Sequence, residues 1–291
     1  MRIQWHAVIA PLVAAAALII IYTGDDDGEQ VCVPRNVRRV VSLSPSVTRE
    51  IIDLGAEEML AGVTSYHPPM KKKVPVVGTI LHPNVETILS LGPDLVLYSE
   101  EDSAVQHAER LAAAGLCAVS LGRNRNFEEI CANYLRIAEL IGARDAGREK
   151  ISRYRALLNV ARVTEKRCTV AVFIAHTPLV AASEGSFVGE IIADSGGINV
   201  VKDTGIGYPI LSAEFLIAVN PDVILSIMPG AAEFFLSLSG SAPGLRATEK
   251  GQVYTINERH LAYYTPGDYI AAVREIAALL KKVVKQDENR N

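Results

Sequence analysis

From Arg38 onward, short β-branched apolar runs alternate with longer stretches in which apolar residues recur every three or four positions. The first pattern is that of buried strands and the second that of amphipathic helices. Val40-Val41-Ser42-Leu43 reads as a first strand, and Ser44-Pro45-Ser46 leads into a helix over 47–54 that Gly55 ends. Further strands are predicted over 61–64, 74–77, 95–98 and 117–121, with helices over 103–114 and 126–141. From Asp145 to Lys166 one helical pattern continues, with Ile151, Tyr154, Leu157, Leu158 and Ala161 on one face. At ~1.5 Å per residue it would span about 33 Å. The alternation then restarts, with strands over 169–175, 179–182, 223–227 and 252–256 and helices over 186–194 and 266–285. Strands separated by helices predict mostly parallel sheets.

Two distant stretches repeat one arrangement. Glu86 is followed after six residues by Pro93-Asp94 and then Val96-Leu97; Glu214 is followed after six by Pro221-Asp222 and then Ile224-Leu225. A Gly or Asn precedes each Pro-Asp. The period is far too long for a solenoid, so the repeat predicts two similar lobes, each with one acidic corner. Asn84 and Ser212 are good helix N-caps, and a carboxylate two positions on favours the positive helix end by about 0.3–1 kcal/mol. Capping explains either glutamate alone. It does not explain why both lobes carry one at the same offset.

Composition narrows the class. Apolar residues make up 49% and charged residues 21%, as in a folded globular chain of two modest lobes. Of the net charge of −4, Asp25, Asp26, Asp27 and Glu29 against Arg2 account for −3, so no basic face speaks for nucleic acid. Lys71-Lys72-Lys73 reads as a solvated loop. Arg2 precedes an apolar run from Ala7 to Tyr22 and a polar stretch to Gln30, the layout of an export signal or uncleaved anchor that puts the remainder outside the cytoplasm. Cys32, Cys117, Cys131 and Cys168 show no metal or redox spacing. An exported chain could pair two of them, with connectivity left open. Cys117 and Cys168 begin apolar strand runs and read as small buried hydrophobes.

Arg39 to Ser46, Gly62-Val63-Thr64-Ser65-Tyr66, the stretch from Asn84 to Leu97, Gly185 to Val200 with Gly196-Gly197-Ile198-Asn199, and Ser212 to Leu225 together resemble the periplasmic substrate-binding proteins of ABC importers for iron chelates and cobalamin. The resemblance covers the chain from about Val37 onward. It implies an α/β fold of two Rossmann-like lobes, each a mostly parallel sheet flanked by helices, joined by one long interlobe helix. The organisation it gives is a signal or anchor segment with acidic linker over 1–30, an N-terminal lobe over 36–142, a connecting helix over 143–166 and a C-terminal lobe over 167–291. It also implies that Glu86 and Glu214 dock into arginine-lined pockets of a permease dimer carrying ATPase subunits, since carboxylate–arginine pairs are bidentate and directional. A helical linker predicts small lobe movements on binding.

The cargo implied is a metal chelate (a ferric siderophore, haem or cobalamin) and not a resident cofactor. It is expected in the cleft between lobes, at the C-terminal ends of strands. On the N-terminal side the candidates are Ser44, Ser46, Tyr66, His67, Leu81 and His82, with Pro45 and Ile80 beside them. On the C-terminal side they are Phe187, Tyr208, Arg259, Tyr263 and Tyr264, with Ser183, Glu184 and His260. Tyr66, His67 and His82 are the candidate metal ligands if the cargo is haem. Trp5, the only Trp, lies in the export segment, so the cleft has no indole, and Tyr263-Tyr264 stand where many siderophore binders carry an arginine before Pro266-Gly267. Three other readings stay open: a tethered sensor of the same fold, a bare metal-ion binder, and an enzyme. For the last, the chain has no Gly-x-Ser-x-Gly elbow, no phosphate loop and no complete dinucleotide loop.

Overall fold

β-branched and leucine-rich runs that cannot face water become the buried strands of two sheets. In the first, β1 (Val40–Ser42), β2 (Leu60–Val63), β3 (Leu95–Ser99) and β4 (Ala118–Leu121) are parallel in the order β2-β1-β3-β4. Residues of β1, β2 and β3 are buried on both faces, as parallel sheets covered by helices require. The covering helices are α1 (Pro45–Asp53), α2 (Val85–Ser90), α3 (Ala108–Ala113) and α4 (Phe127–Leu140). The computed structural model describes residues 32, 34, 36–100, 107–165, 168–240, 244–257 and 263–288. The signal or anchor reading of 1–30 therefore lies outside the described residues, as do Arg259, His260 and the start of the helix predicted over 103–114.

Helix α5 (Arg144–Ala161) follows and leads to the second sheet. There β5 (Cys168–Ala175) pairs in parallel with β7 (Gly197–Asn199) and β8 (Val223–Ser226), and β8 with β9 (Val253–Thr255). The two-residue β6 (Val180–Ala181) runs antiparallel to the C-terminal half of β5. Around this sheet lie α6 (Phe187–Asp194), α7 (Ala213–Val219), α8 (Ala231–Gly240), α9 (Arg246–Glu249) and α10 (Pro266–Glu288). Among the described residues no helix is long and apolar enough to cross a membrane.

The connecting helix is shorter than the pattern predicts. It spans 18 residues and ends at Ala161, because Arg162 turns to an extended ψ of 136°. The β-branched Val163 and Thr164 that follow lose rotamer freedom in a helix. Instead the Arg162 guanidinium binds Asp194 at 2.9 Å and the Val163 amide donates to the Asp194 carbonyl at 2.8 Å. The predicted stripe holds: Ile151 and Leu158 are buried, and Tyr154, Leu157 and Ala161 pack against them. The strand predicted over 74–77 is absent; Val76 makes one isolated bridge to Val63, and Pro75 has no amide to extend the ladder. Cys117 is not a free buried thiol but is disulfide-bonded to Cys32, 85 residues away, while Cys131 and Cys168 are buried and take no part in that bond.

The duplicated Pro-Asp has a structural purpose that is the same in both sheets. The Asp94 carboxylate accepts the amides of Arg38 and Arg39 at 2.8 and 2.9 Å, and Asp222 accepts the Thr169 amide and hydroxyl at 2.9 and 2.6 Å. Each carboxylate thus fixes the start of the neighbouring strand. The preceding Gly92 (φ 53°) and Asn220 (φ 41°) end their helices in the left-handed region that Gly and Asn tolerate. Burial pushes the Asp222 carboxyl up, but the Thr169 hydrogen bonds and Arg246 outweigh it and hold it below the usual carboxylate range.

The lobes share one core. A single apolar cluster includes Val40 of β1, Ile130 and Tyr134 of α4, Leu158 of α5, Val172 of β5, and Tyr269 and Val283 of α10. Polar contacts cross the same layer. Arg49 of α1 grips Asp268 of α10 through two nitrogens, at 2.7 and 2.9 Å, and its guanidinium lies 5.0 Å from the Tyr263 ring centre. Asp53 accepts hydrogen bonds from the hydroxyls of both Tyr134 and Tyr154.

Candidate functional site: an interlobe cleft

Strand directions decide where a ligand can approach. The loops leaving the C-terminal ends of β1 to β4 carry residues 43–46, 64–67 and 122–126, and those of the second sheet carry 176–179, 200–208 and 227–230. Open α/β sheets bind ligands at this end. Residues 79–84 lie there too, since Val77 pairs with Val63 at the end of β2 and the Asn84 amide donates to the Val77 carbonyl at 2.8 Å. Loop 206–211 is held to β6 by Ala181–Pro209 and Ser183–Gly207 backbone bonds and by the Ser183 hydroxyl on the Ile206 carbonyl.

The predicted ligand residues separate into two groups. Tyr66 (67% exposed), Leu81 (57%) and His82 present themselves to solvent on the N-terminal side. His67 is half-buried, its Nδ1 2.8 Å from the Pro68 carbonyl. Tyr208, Tyr263 and Tyr264 are half-buried on the C-terminal side. By contrast, Ser44 and Ser46 are buried and their hydroxyls bond each other at 2.8 Å, inside a network with Ser42 and Thr48. They shape the first turn of α1 and offer little to a ligand. Phe187 is only 2% exposed and packs on Tyr264 and Tyr269, with ring centres 4.7 and 5.7 Å apart. It is a core residue whose burial supports the Tyr264 ring.

Three cleft features were not singled out by the sequence. His176, at the end of β5, stacks on Phe234 at 4.3 Å with its Nε2 2.9 Å from the Ser226 hydroxyl, and burial lowers its basicity. Ile206 (58% exposed), whose carbonyl accepts the Ser183 hydroxyl, and Met228, whose amide donates to the Ser226 hydroxyl, add exposed apolar surface. The third is a cavity of about 440 Å³ between the first turns of α4 and α6, lined by Arg125, Asn126, Glu129, Glu184, Gly185, Ser186 and Glu190. Both helices begin with a capping residue followed by a buried Phe. Asn126 accepts the Glu129 amide at 2.8 Å, Ser186 accepts the Gly189 amide at 3.0 Å, and Phe127 and Phe187 share Tyr269 as neighbour. Glu190 then reaches across the lobe boundary and accepts the Phe127 amide at 2.7 Å. Among the described residues no group of three His, Cys, Asp or Glu side chains could hold a metal ion.

Glu86 and Glu214 occupy matching places. Each is the second residue of a short helix, is exposed, and follows a cap whose side chain accepts the third amide: Asn84 from Thr87 at 2.9 Å and Ser212 from Phe215 at 3.2 Å. Both helices start at the cleft end of their sheets, α2 beside Val63–Val77 and α7 beside Leu179–Leu211. The Glu214 carboxyl is held below its usual range by its own backbone amide and by Ser212.

Residues 40–260 match the family model described as "Periplasmic binding protein". The chain belongs to that family. A relative of this periplasmic binding protein, the vitamin B12-binding protein of Vibrio cholerae serotype O1, is 23% identical over 258 residues, covering 87% of this chain and 92% of its own. An ABC transporter substrate-binding lipoprotein of Bacillus subtilis is 26% identical over 215 residues, covering 69% and 67%. Among solved structures, the apo form of a periplasmic heme-binding protein from Roseiflexus sp. RS-1 superposes with a TM-score of 0.73 at 24% identity, over 85% of this chain and 99% of that one. The two-lobed α/β architecture is therefore common to this chain and its structural neighbours, and the family consists of substrate-binding proteins.

Proposed function

We propose that this periplasmic binding protein serves an ABC importer outside the cytoplasm, holding a metal chelate in the interlobe cleft and presenting it to a permease dimer with its ATPase subunits. The observation that carries the reading is the pair Glu86 and Glu214: equivalent in sequence offset, capping, exposure and position at the cleft end of each sheet. Two matching carboxylates on a pseudo-symmetric molecule suit arginine pockets on a two-fold symmetric partner. Lobes over 36–142 and 167–291 with α5 between them are the division this implies. Relatives named for vitamin B12, heme and ABC transport support the same class of cargo and partner.

In this reading Tyr66, His67, Leu81 and His82 form one wall, and Tyr208, Tyr263 and Tyr264, with His176 and Ile206, the other. Aromatic and apolar walls with few polar anchors suit a large, flat ligand. The protein binds and releases; it does not turn its cargo over. The Cys32–Cys117 bond supports an oxidising compartment, consistent with residues 1–30 acting as signal or anchor. The test is the absorbance spectrum of the protein purified from its native envelope. A Soret band identifies haem, corrinoid bands cobalamin, and a broad charge-transfer band a ferric chelate. A colourless protein that also fails to bind all three on titration sinks the proposal and leaves a tethered sensor as the better reading.

A further inference from the structure

Resting on the chelate-binding reading, we infer that His176 is a specificity-determining anchor of the C-terminal wall: Ser226 holds its ring as the tautomer with the proton on Nδ1, and that N–H donates to an oxygen on the rim of the cargo. The same tautomer keeps the ring from ligating the metal. His176 directly follows β5, a central strand of the second sheet, at the end where the cleft loops emerge. Ser226 ends β8, the neighbouring parallel strand, in register with Phe173.

The hydrogen-bond network assigns the tautomer. Ser226 is fully buried, and its hydroxyl oxygen accepts the Met228 amide at 3.1 Å. The hydroxyl proton still needs an acceptor, and among the described residues the one in reach is Nε2 of His176, at 2.9 Å. A proton on Nε2 would make that nitrogen a second donor to the same oxygen and strand the Ser226 O–H away from water, at the full desolvation cost of the donor. Nε2 is therefore the bare nitrogen, and the ring's one proton sits on Nδ1. Burial works in the same direction, since it disfavours a doubly protonated ring. His176 is half-buried, and its Nδ1, which has no hydrogen-bond partner among the described residues, is not sealed from solvent. Packing fixes the ring's direction: it stacks on Phe234 at 4.3 Å and 10°, and meets buried Phe235 nearly edge-on at 5.4 Å. In a cleft with aromatic walls, one such rigid donor orients the ligand. It pairs with a carboxylate or carbonyl oxygen. A protonated Nδ1 has no lone pair to offer a metal, and the Nε2 lone pair is already used.

The experiment uses the full-length protein in mild detergent. Nitrogen NMR of the histidine rings at neutral pH, with His176→Phe to assign the signal, should show a protonated Nδ1 and a bare Nε2. Isothermal titration then follows with three probes: haemin (carboxylate oxygens), cyanocobalamin (amide oxygens) and ferrichrome (peptide oxygens). His176→Phe keeps the stack and removes the donor. It should weaken the tightest-binding probe at least fivefold, on the order expected for one lost hydrogen bond, and leave the absorbance bands of the bound chelate in place. Ser226→Ala should let the proton move to Nε2 and weaken the same probe at least twofold, with thermal melting run in parallel to show that both variants fold. A proton on Nε2 in the wild type, or unchanged affinity in folded His176→Phe, overturns the inference and leaves the chelate reading standing. Shifted chelate bands in His176→Phe would make the ring a metal ligand and overturn it equally. No binding of any of the three probes overturns both.

Discussion

Glu50 offers the sharpest physical test of the lobe junction. Its side chain, on the buried face of α1, is 3% exposed, and its Oε1 has no hydrogen-bond partner. Burial, then the nearby charges of Asp53 and Asp268, push its carboxyl well above the usual range. The native state therefore keeps a proton that the unfolded chain releases above its ordinary glutamate pKa of about 4.3. The stability this contributes is fully present below that pH and is lost as pH rises toward the folded-state pKa. One proton sets the limiting slope at about 1.4 kcal/mol per pH unit, so two units cost up to about 3 kcal/mol. Glu50→Gln keeps the shape of the protonated acid and has nothing to ionise. Urea unfolding followed by circular dichroism from about pH 4.5 to about pH 8 should show wild type losing stability relative to Glu50→Gln as pH rises, with near-equal values at the acid end. Parallel pH profiles would refute the placement of an uncompensated carboxyl at the junction.

Other consequences can be measured directly. Closing a loop of 85 residues, the Cys32–Cys117 bond should contribute about 4.5 kcal/mol on the chain-entropy estimate; reduction, or Cys32→Ser, should lower the urea midpoint by a corresponding amount, and an unchanged midpoint would count against the bond. Cys131, whose thiol burial pushes up to about 12, should resist maleimide until the protein unfolds. Because Arg49–Asp268 and Glu190–Phe127 clamp the lobes across a shared core, solution scattering should give the same radius of gyration within error before and after ligand; a compaction of several ångströms contradicts the clamp.

Much of this architecture was legible in the chain. The alternation of β-branched runs with amphipathic stretches gave both sheets, and the α5 stripe emerged because its five apolar residues keep helical spacing. The Glu…Pro-Asp repeat pointed to the paired corners, although the aspartates proved to anchor strand starts, a role that only the opposite strand reveals. Features set by tertiary juxtaposition were not legible. Phe187 follows an N-cap whether it faces a cleft or a core, so its burial depended on Tyr264 and Tyr269 arriving from α10. The polar cavity exists only because α4 and α6, about 60 residues apart (Phe127 to Phe187), start side by side. The partner of Cys117 lay beyond any local pattern, and the three-residue β7 sits directly after a glycine turn that reads as a helix stop.

The central claim is delivery as well as capture, and the pair Glu86 and Glu214 isolates it. In cells carrying this chain and its cognate permease, uptake of the chelate identified by titration should be abolished by Glu86→Lys with Glu214→Lys, while the purified double variant binds that chelate with unchanged affinity. Uptake at the wild-type rate in the double variant would contradict the account.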